Sequence, residues 1–202
     1  MATTNANKVK FGLKNVHYSV VTETYTEGTG WESTYGTVKA WPGAVSMSIS
    51  PEGEDNNFYA DDGIYYVISS NAGYTGSFES ALIPNDVLES VYGFQRDSNG
   101  LLIESNEQKK KYIALMFEVD GDSKATRYCY YRCMLSRANV DASTKENSVE
   151  PKTDSIDITF LPRLDDGVIK AMADAITCAS TAGQTAYEDF YDEVPEPSLP
   201  AA

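Results

Sequence analysis

Apolar and polar residues alternate along several short stretches of this chain, with the two-residue period of a strand half-buried in a sheet. In AVSMSIS at 44–50, Val45, Met47 and Ile49 face one way and Ser46, Ser48 and Ser50 the other; Pro51 ends the run. From Gly73 to Ile83, Tyr74, Phe78 and Leu82 oppose Thr75, Ser77 and Glu79. Over 153–161, Ile156, Ile158 and Phe160 oppose Ser155, Asp157 and Thr159. The same pattern predicts strands at 16–21 (Val16, Tyr18 and Val20 on one face), 64–69, 112–119 (Ile113, Leu115, Phe117 and Val119 inward), 126–136 and 168–172. Pro84, Asn85 and Asp86 supply turn and cap chemistry for one short helix over 86–92, closed by Gly93, with Val87, Leu88 and Val91 as its buried stripe.

Turn residues divide these elements. Asn99-Gly100 marks a tight turn, Asp120-Gly121-Asp122 joins two strands as a hairpin, and Asp165-Asp166-Gly167 turns the chain back once more. Residues 22–36, rich in Gly and Thr, read as a loop or wide hairpin with Trp31 as a packing anchor; 52–63 read as an acidic loop, and 137–152 as a polar one. The sum is a mainly β chain: an antiparallel β-sandwich or partial barrel with one short flanking α-helix and extended terminal arms. The expected boundaries are an N-terminal arm at 1–10, the β-sandwich domain at 11–172 and an acidic, Pro-containing C-terminal arm at 173–202. No base follows Lys170, and Glu188, Asp189, Asp192, Glu193 and Glu196 stand among Pro195, Pro197 and Pro200, a composition that buries little surface alone.

Length and composition change the picture only at the margins. The 202 residues suit one domain with arms, and 42% hydrophobic residues with 14 tyrosines suit a β-rich core. The formal net charge of −14 argues against a nucleic-acid binder, which normally carries a basic patch. No apolar run is long enough for a spanning helix, and the N-terminus lacks the apolar stretch of a secretory signal, so synthesis in the cytoplasm is expected. Cys129 and Cys133 lie in one predicted strand, roughly 13 Å apart, too far to bridge; with Cys178 they read as reduced thiols.

Catalytic chemistry is thin. His17 is the only histidine and sits between apolar neighbours in a strand pattern, so neither a histidine-based triad nor a histidine-rich metal site is available. The acidic 52–62 stretch lacks the alternating ligand spacing of a calcium loop. A carboxylate pair of the glycosidase kind stays open, because acids are plentiful and their spacing in space is unreadable. The expectation is no catalytic residue, no metal and no cofactor.

The polar faces of three strands, Ser46/Ser48/Ser50, Thr75/Ser77/Glu79 and Ser155/Asp157/Thr159, contain hydroxyls and acids and no Lys or Arg. A plain solvent face would account for this equally well. It is also what a wall beside moving DNA requires, since each basic contact to phosphate releases counterions and strengthens the grip.

The stretches KVKFGLKNVHYSVV (8–21), WPGAVSMSISPEGEDNNFYADDGIYYVISSNAGYTGSFESALIP (41–84), FEVDGDSKATRYCYYRCMLSR (117–137) and STKENSVEPKTDSIDITFLPRLDDGVIKA (143–171) resemble, in collinear order, the major tail proteins of siphophages of the phi-thirteen type. Segments 22–34 and 172–202 match less clearly. The resemblance implies a β-sandwich with a flanking helix, six copies to a ring, rings stacked into a tube, and inner strands joined around a DNA-conducting lumen. It implies no catalytic residues. The partners it implies are further copies of the chain, other tail proteins such as the tape measure, tail terminator and distal tail protein, and viral DNA passing without specific binding. It places the protein in the virion tail, made in the host bacterial cytoplasm, with no membrane association. On this reading the three polar faces line the lumen, with Glu79 and Asp157 as lumen acids. The acidic segment, through Glu54, Asp55, Phe58, Tyr59, Asp61 and Asp62, is the inter-subunit loop. The arms Met1–Lys10, with Lys8 and Lys10, and Thr185–Leu199, with Tyr187, Phe190 and Tyr191, contact neighbours. The alternative is a carbohydrate-binding module presenting Trp31, Trp41, Tyr65, Tyr66, Tyr128, Tyr130 or Tyr131 to a sugar.

Overall fold

A computed structural model describes residues 12–53, 55–121, 124–139, 144, 152–179 and 181–198. The expected N-terminal arm with Lys8 and Lys10, Glu54, Asp122, most of the 137–152 loop and Leu199 lie outside the described residues. The strands are β1 (Leu13–Thr26), β2 (Gly30–Tyr35), β3 (Lys39–Ala40), β4 (Ala44–Glu52), β5 (Asp55–Ala60), β6 (Gly63–Ser69) and β7 (Gly73–Ser80). After helix α1 (Asn85–Ser90) come β8 (Gln95–Arg96), β9 (Leu102–Ile103), β10 (Ile113–Val119), β11 (Arg127–Leu135), β12 (Asp154–Leu161), β13 (Lys170–Ala173) and helix α2 (Thr181–Glu188).

The architecture is mainly antiparallel β. One large sheet runs β2-β1-β10-β11-β12-β7-β4, with β3 on β1 and β13 on β11. It curls without closing. At one end β4 comes back against the start of β1, so that Leu13, Val45 and Met47 share a groove with Phe117 and Tyr130, but no ladder joins the two strands. The concave face holds the main core: Tyr18, Trp41, Phe78, Leu115, Ile156 and Phe160, capped by Val87 of α1 and Val91 just after it. Tyr18, Phe78, Leu115, Ile156 and Phe160 are inward residues that the two-residue period selects, whereas Trp41 lies outside the predicted strands; burying an apolar side chain of this size supplies about 1.5–3 kcal/mol. Trp41 packs edge-on against both Tyr18 and Phe78 and donates its indole N–H to the Ser80 hydroxyl.

β10 is buried on both faces, Ile113 and Leu115 in the main core and Ala114 and Met116 in a second one. The second core explains the C-terminal segment. That segment reads as an arm in composition, yet it carries α2 between two 3₁₀ turns, and it lays Phe190 and Val194 on the convex side of β10 and β11. The alternation along β11 resets between Tyr130 and Cys133, where the register with β10 slips. This bulge lets the same edge of β11 take β13 along Arg127–Tyr130 and β12 along Arg132–Leu135.

Two hairpins stand clear of the sheet. Residues 22–36, read as a loop or wide hairpin, hold the paired ends of β1 and β2, with Val21 opposite Tyr35 and Thr26 opposite Gly30. The acidic 52–63 segment is not a loop: β5 pairs with β6 around Asp61 and Asp62, whose φ values of 53° and 61° make a two-residue turn of the hairpin-favouring kind. Because sheet neighbours alternate in direction, β1 and β7 run the same way. The β1–β2 tip therefore leaves the sheet where β7 ends, and the β5–β6 hairpin leaves it where β7 begins.

Candidate functional site

The three polar faces meet. β4, β7 and β12 are adjacent, and their registers align Ser46–Glu79–Ser155, Ser48–Ser77–Asp157 and Ser50–Thr75–Thr159 as three rows across the convex surface. Every member is a hydroxyl except Glu79 and Asp157, and no base stands among them. Each turns outward because its neighbours Met47, Ile49, Phe78, Ile156, Ile158 and Phe160 pack into the main core. Gly76, on the inner side, lets the strands close tightly: a Cβ there would lie 2.2 Å from the Ser48 carbonyl oxygen. Glu79 accepts hydrogen bonds from Thr153 Oγ1 and, at 2.9 Å, from Ser46 Oγ. These hold its carboxyl below the usual carboxylate range, so the wall keeps this negative charge at neutral pH. The result is a hydrogen-bonding surface of one sign, with no base in its rows to anchor a phosphate.

The β5–β6 hairpin is the second feature. Phe58, Tyr59, Ile64, Tyr65, Tyr66 and Val67 are all exposed, Tyr59 to 66% and Tyr65 to 73%. Neighbouring residues of a strand point to opposite faces, so both faces of the hairpin are apolar. Its strand alternation is therefore weak, which is why the sequence gives no strand signal over β5. Asp61 and Asp62 cap the tip; the side chain of Asp55 lies outside the described residues.

The third feature is the docked C-terminal segment. The Arg127 guanidinium lies 4.0 Å from the Tyr187 ring centroid and 5.0 Å from that of Tyr191, and Arg127 donates to the Tyr187 carbonyl. Tyr187 donates its hydroxyl to the Ala125 carbonyl at 2.8 Å, and Tyr131 does the same to Pro195. Arg163, itself nearly buried, binds Asp165 at 2.7 Å and Glu196 at 2.9 Å. Phe190, expected to face neighbouring subunits, is buried inside its own chain, because the convex side of β10 would otherwise stay uncovered. Tyr187 is largely engaged with Arg127, and Tyr191 packs on His17 with centroids 4.7 Å apart and planes tilted by 33°. The one histidine is thus part of this docking, with its Nδ1 2.9 Å from the Asn15 carbonyl oxygen.

Arg163 holds the Asp165 carboxyl well below its ordinary range, chiefly through the paired hydrogen bonds. A carboxylate depressed in the folded state stabilises it fully above the unfolded value near 3.9, and this is lost as pH falls toward the folded value. Urea midpoints measured between pH 7 and pH 3 should therefore fall, and Asp165→Asn should flatten the lower end of that curve while lowering stability at pH 7.

The rings proposed as a sugar platform are scattered. Trp41, Tyr130 and Tyr131 are core residues, and Tyr128 stacks on Phe117. Tyr65 and Tyr66, being adjacent in β6, face opposite ways. Trp31 leans on Tyr25 at 57°, at the separate β1–β2 hairpin. Cys129 and Cys133 are free and fully buried, and burial pushes both thiols up. No helix among the described residues is long and apolar enough to cross a membrane.

No protein-family model and no curated protein matches the chain. Among solved structures it is similar to the PVC sheath-tube complex of an extracellular contractile injection system in the extended state, at 12% identity over 87% of this chain and 99% of that one, TM-score 0.45. It is also similar to the tube-terminating cap of the anti-feeding prophage, at 12% identity over 87% and 100%, TM-score 0.42. The six-fold symmetrised baseplate of the anti-feeding prophage aligns at 9% identity over 85% and 97%, TM-score 0.38.

Proposed function

We propose that this chain is a structural, non-enzymatic subunit of a bacteriophage tail tube, of the siphophage major-tail kind. Copies of it close into rings of six and the rings stack. The hydroxyl and carboxylate wall of β4, β7 and β12 faces the lumen, where a base-free surface lets DNA slide. The tube sits in the virion tail, where the tape measure, terminator and distal tail proteins are its further partners.

The observation that carries the reading is the β5–β6 hairpin. A two-stranded hairpin with apolar rings on both faces is at best marginally stable in water, and a patch of this kind marks an interaction surface. Copies of the same chain are the partner that the collinear sequence resemblance favours. Among the described residues β4 is paired on one edge only, and its other edge, next to the polar wall, gives a second place for neighbouring sheets to join.

Negative-stain microscopy and sedimentation of concentrated protein test this. The wild type is expected to form rings or tubes. The double variant Tyr59→Ser, Tyr65→Ser should stay monomeric, with a thermal midpoint close to wild type because neither ring touches the core. A variant that assembles as readily as the wild type would remove the hairpin from the interface.

A further inference from the structure

The hairpin needs a receptor, and the end of the molecule opposite to it offers one. Lys109, Lys110 and Lys111 are the only three consecutive bases in a chain of net charge −14. Of the other exposed bases, Lys14, Lys39, Arg96 and Arg137 are each held by a carboxylate, at 3.0, 3.5, 2.5 and 3.2 Å, and Lys124 and Lys152 stand singly elsewhere in the sequence. Lys109 and Lys111 are exposed and have no such partner among the described residues. Their backbone is fixed against α1: the Lys111 N–H donates to the Val91 carbonyl at 2.8 Å. Beside it, α1 and the turn before it frame a groove of about 450 Å³ with an apolar lining of Leu82, Ile83, Leu88, Tyr92 and Phe94; its charged residues are already engaged, Glu104 with Arg137 and Asp154 with the Ile83 N–H. Leu82 is 71% exposed at its rim.

This end and the hairpin are complementary in both respects. One carries an apolar groove with Lys109 and Lys111, unpaired among the described residues, to one side of it; the other carries apolar faces with an acidic tip. They also lie at opposite ends of the sheet. β4 and β10 run the same way, the lysines precede β10, and the hairpin follows β4. Six residues of β5 carry the tip roughly 20 Å beyond the sheet. A single chain cannot bring the two surfaces together, but a second copy stacked end to end can.

We propose that the β5–β6 hairpin of one copy docks on the α1 end of the next, its rings on the groove and Asp61 and Asp62 beside Lys109 and Lys111. The assignment rests on the tube reading and adds the receptor to it. Such an interface is heterologous, so it propagates along an axis rather than closing a pair.

Carbodiimide, which couples carboxylates directly to amines, tests the contact on assembled wild-type particles by mass spectrometry. Coupled peptides joining Asp61 or Asp62 to Lys109 or Lys111 are expected in the assembled fraction and not in the monomer. Lys109→Glu with Lys111→Glu, and separately Asp61→Asn with Asp62→Asn, should each raise the concentration needed for assembly about tenfold or more, with melting unchanged. Asparagine keeps the turn geometry, and Lys109→Arg with Lys111→Arg should restore assembly. If the Lys→Glu variant assembles at the wild-type concentration, or the acids couple to other lysines, this receptor is wrong and the tube reading stands. A wild type that never assembles overturns both.

Discussion

Phe190→Ala is expected to cost the folded chain about 3–5 kcal/mol, the range for emptying an aromatic site in a packed core. The ring is 2% exposed and fills the space between Ala114 and Met116 of β10, Cys129 and Tyr131 of β11, and Val194 of its own segment. Those neighbours belong to central strands that cannot collapse inward, since their opposite faces are already packed in the main core. The change should also loosen the whole segment. With the ring gone, residues 181–198 keep Val194 in the second core and the contacts of Tyr187 and Tyr191, and of Arg127, Tyr131 and Arg163, at the surface of the sheet. Equilibrium urea unfolding reads the energy. Limited proteolysis reads the release: early cleavage after residue 180 is expected in the variant and not in the wild type. Unchanged stability would mean that the C-terminal segment is the free arm its composition suggests.

Trp41→Ala should be at least as damaging, again about 3–5 kcal/mol. Trp41 is among the largest fully buried side chains, wedged edge-on between Tyr18 of β1 and Phe78 of β7 where the curled sheet returns on itself. Its removal opens a void between the two ends of the sheet. Trp41→Phe separates packing from polarity: it keeps most of the volume and loses the indole hydrogen bond to Ser80. Ser80 Oγ still reaches the Leu82 carbonyl at 2.9 Å, so this variant should lose only about 1–2 kcal/mol. A Trp41 variant that folds normally but loses affinity for soluble oligosaccharides would instead revive the sugar-binding alternative.

The main core was legible because it follows the period of the strand. Val16 and Tyr18, then Ile113, Leu115 and Phe117, then Ile156, Ile158 and Phe160 are the inward set, and they are the residues that the structure buries. The polar wall was legible strand by strand. Its assembly into rows was not, because β12 lies some way along the chain from β4 and β7, and nothing local encodes that adjacency. The β5–β6 hairpin hid behind its acids: Asp61-Asp62-Gly63 is a turn signal, but strands apolar on both sides do not alternate. The C-terminal segment carried a signal that its acids and prolines obscured. Tyr187, Phe190, Tyr191 and Val194 fall at i, i+3, i+4 and i+7, the spacing of a helical stripe.

Where the β5–β6 hairpin meets the sheet, the ladder passes through glycine on both strands. A side chain on Gly53 would sit 2.0 Å from the Ser70 carbonyl oxygen, and one on Gly73, where φ is 110°, 2.3 Å from that of Phe160. No other residue fits at either place, and the pairing between Glu52–Gly73 and Asp55–Ser69 is interrupted there. The hairpin is therefore a lever with its fulcrum at two glycines. If levers of this kind join successive rings, the flexural stiffness of the filament is set less by the rings than by the torsion allowed at Gly53 and Gly73. A long tube could then curve without any subunit changing its core.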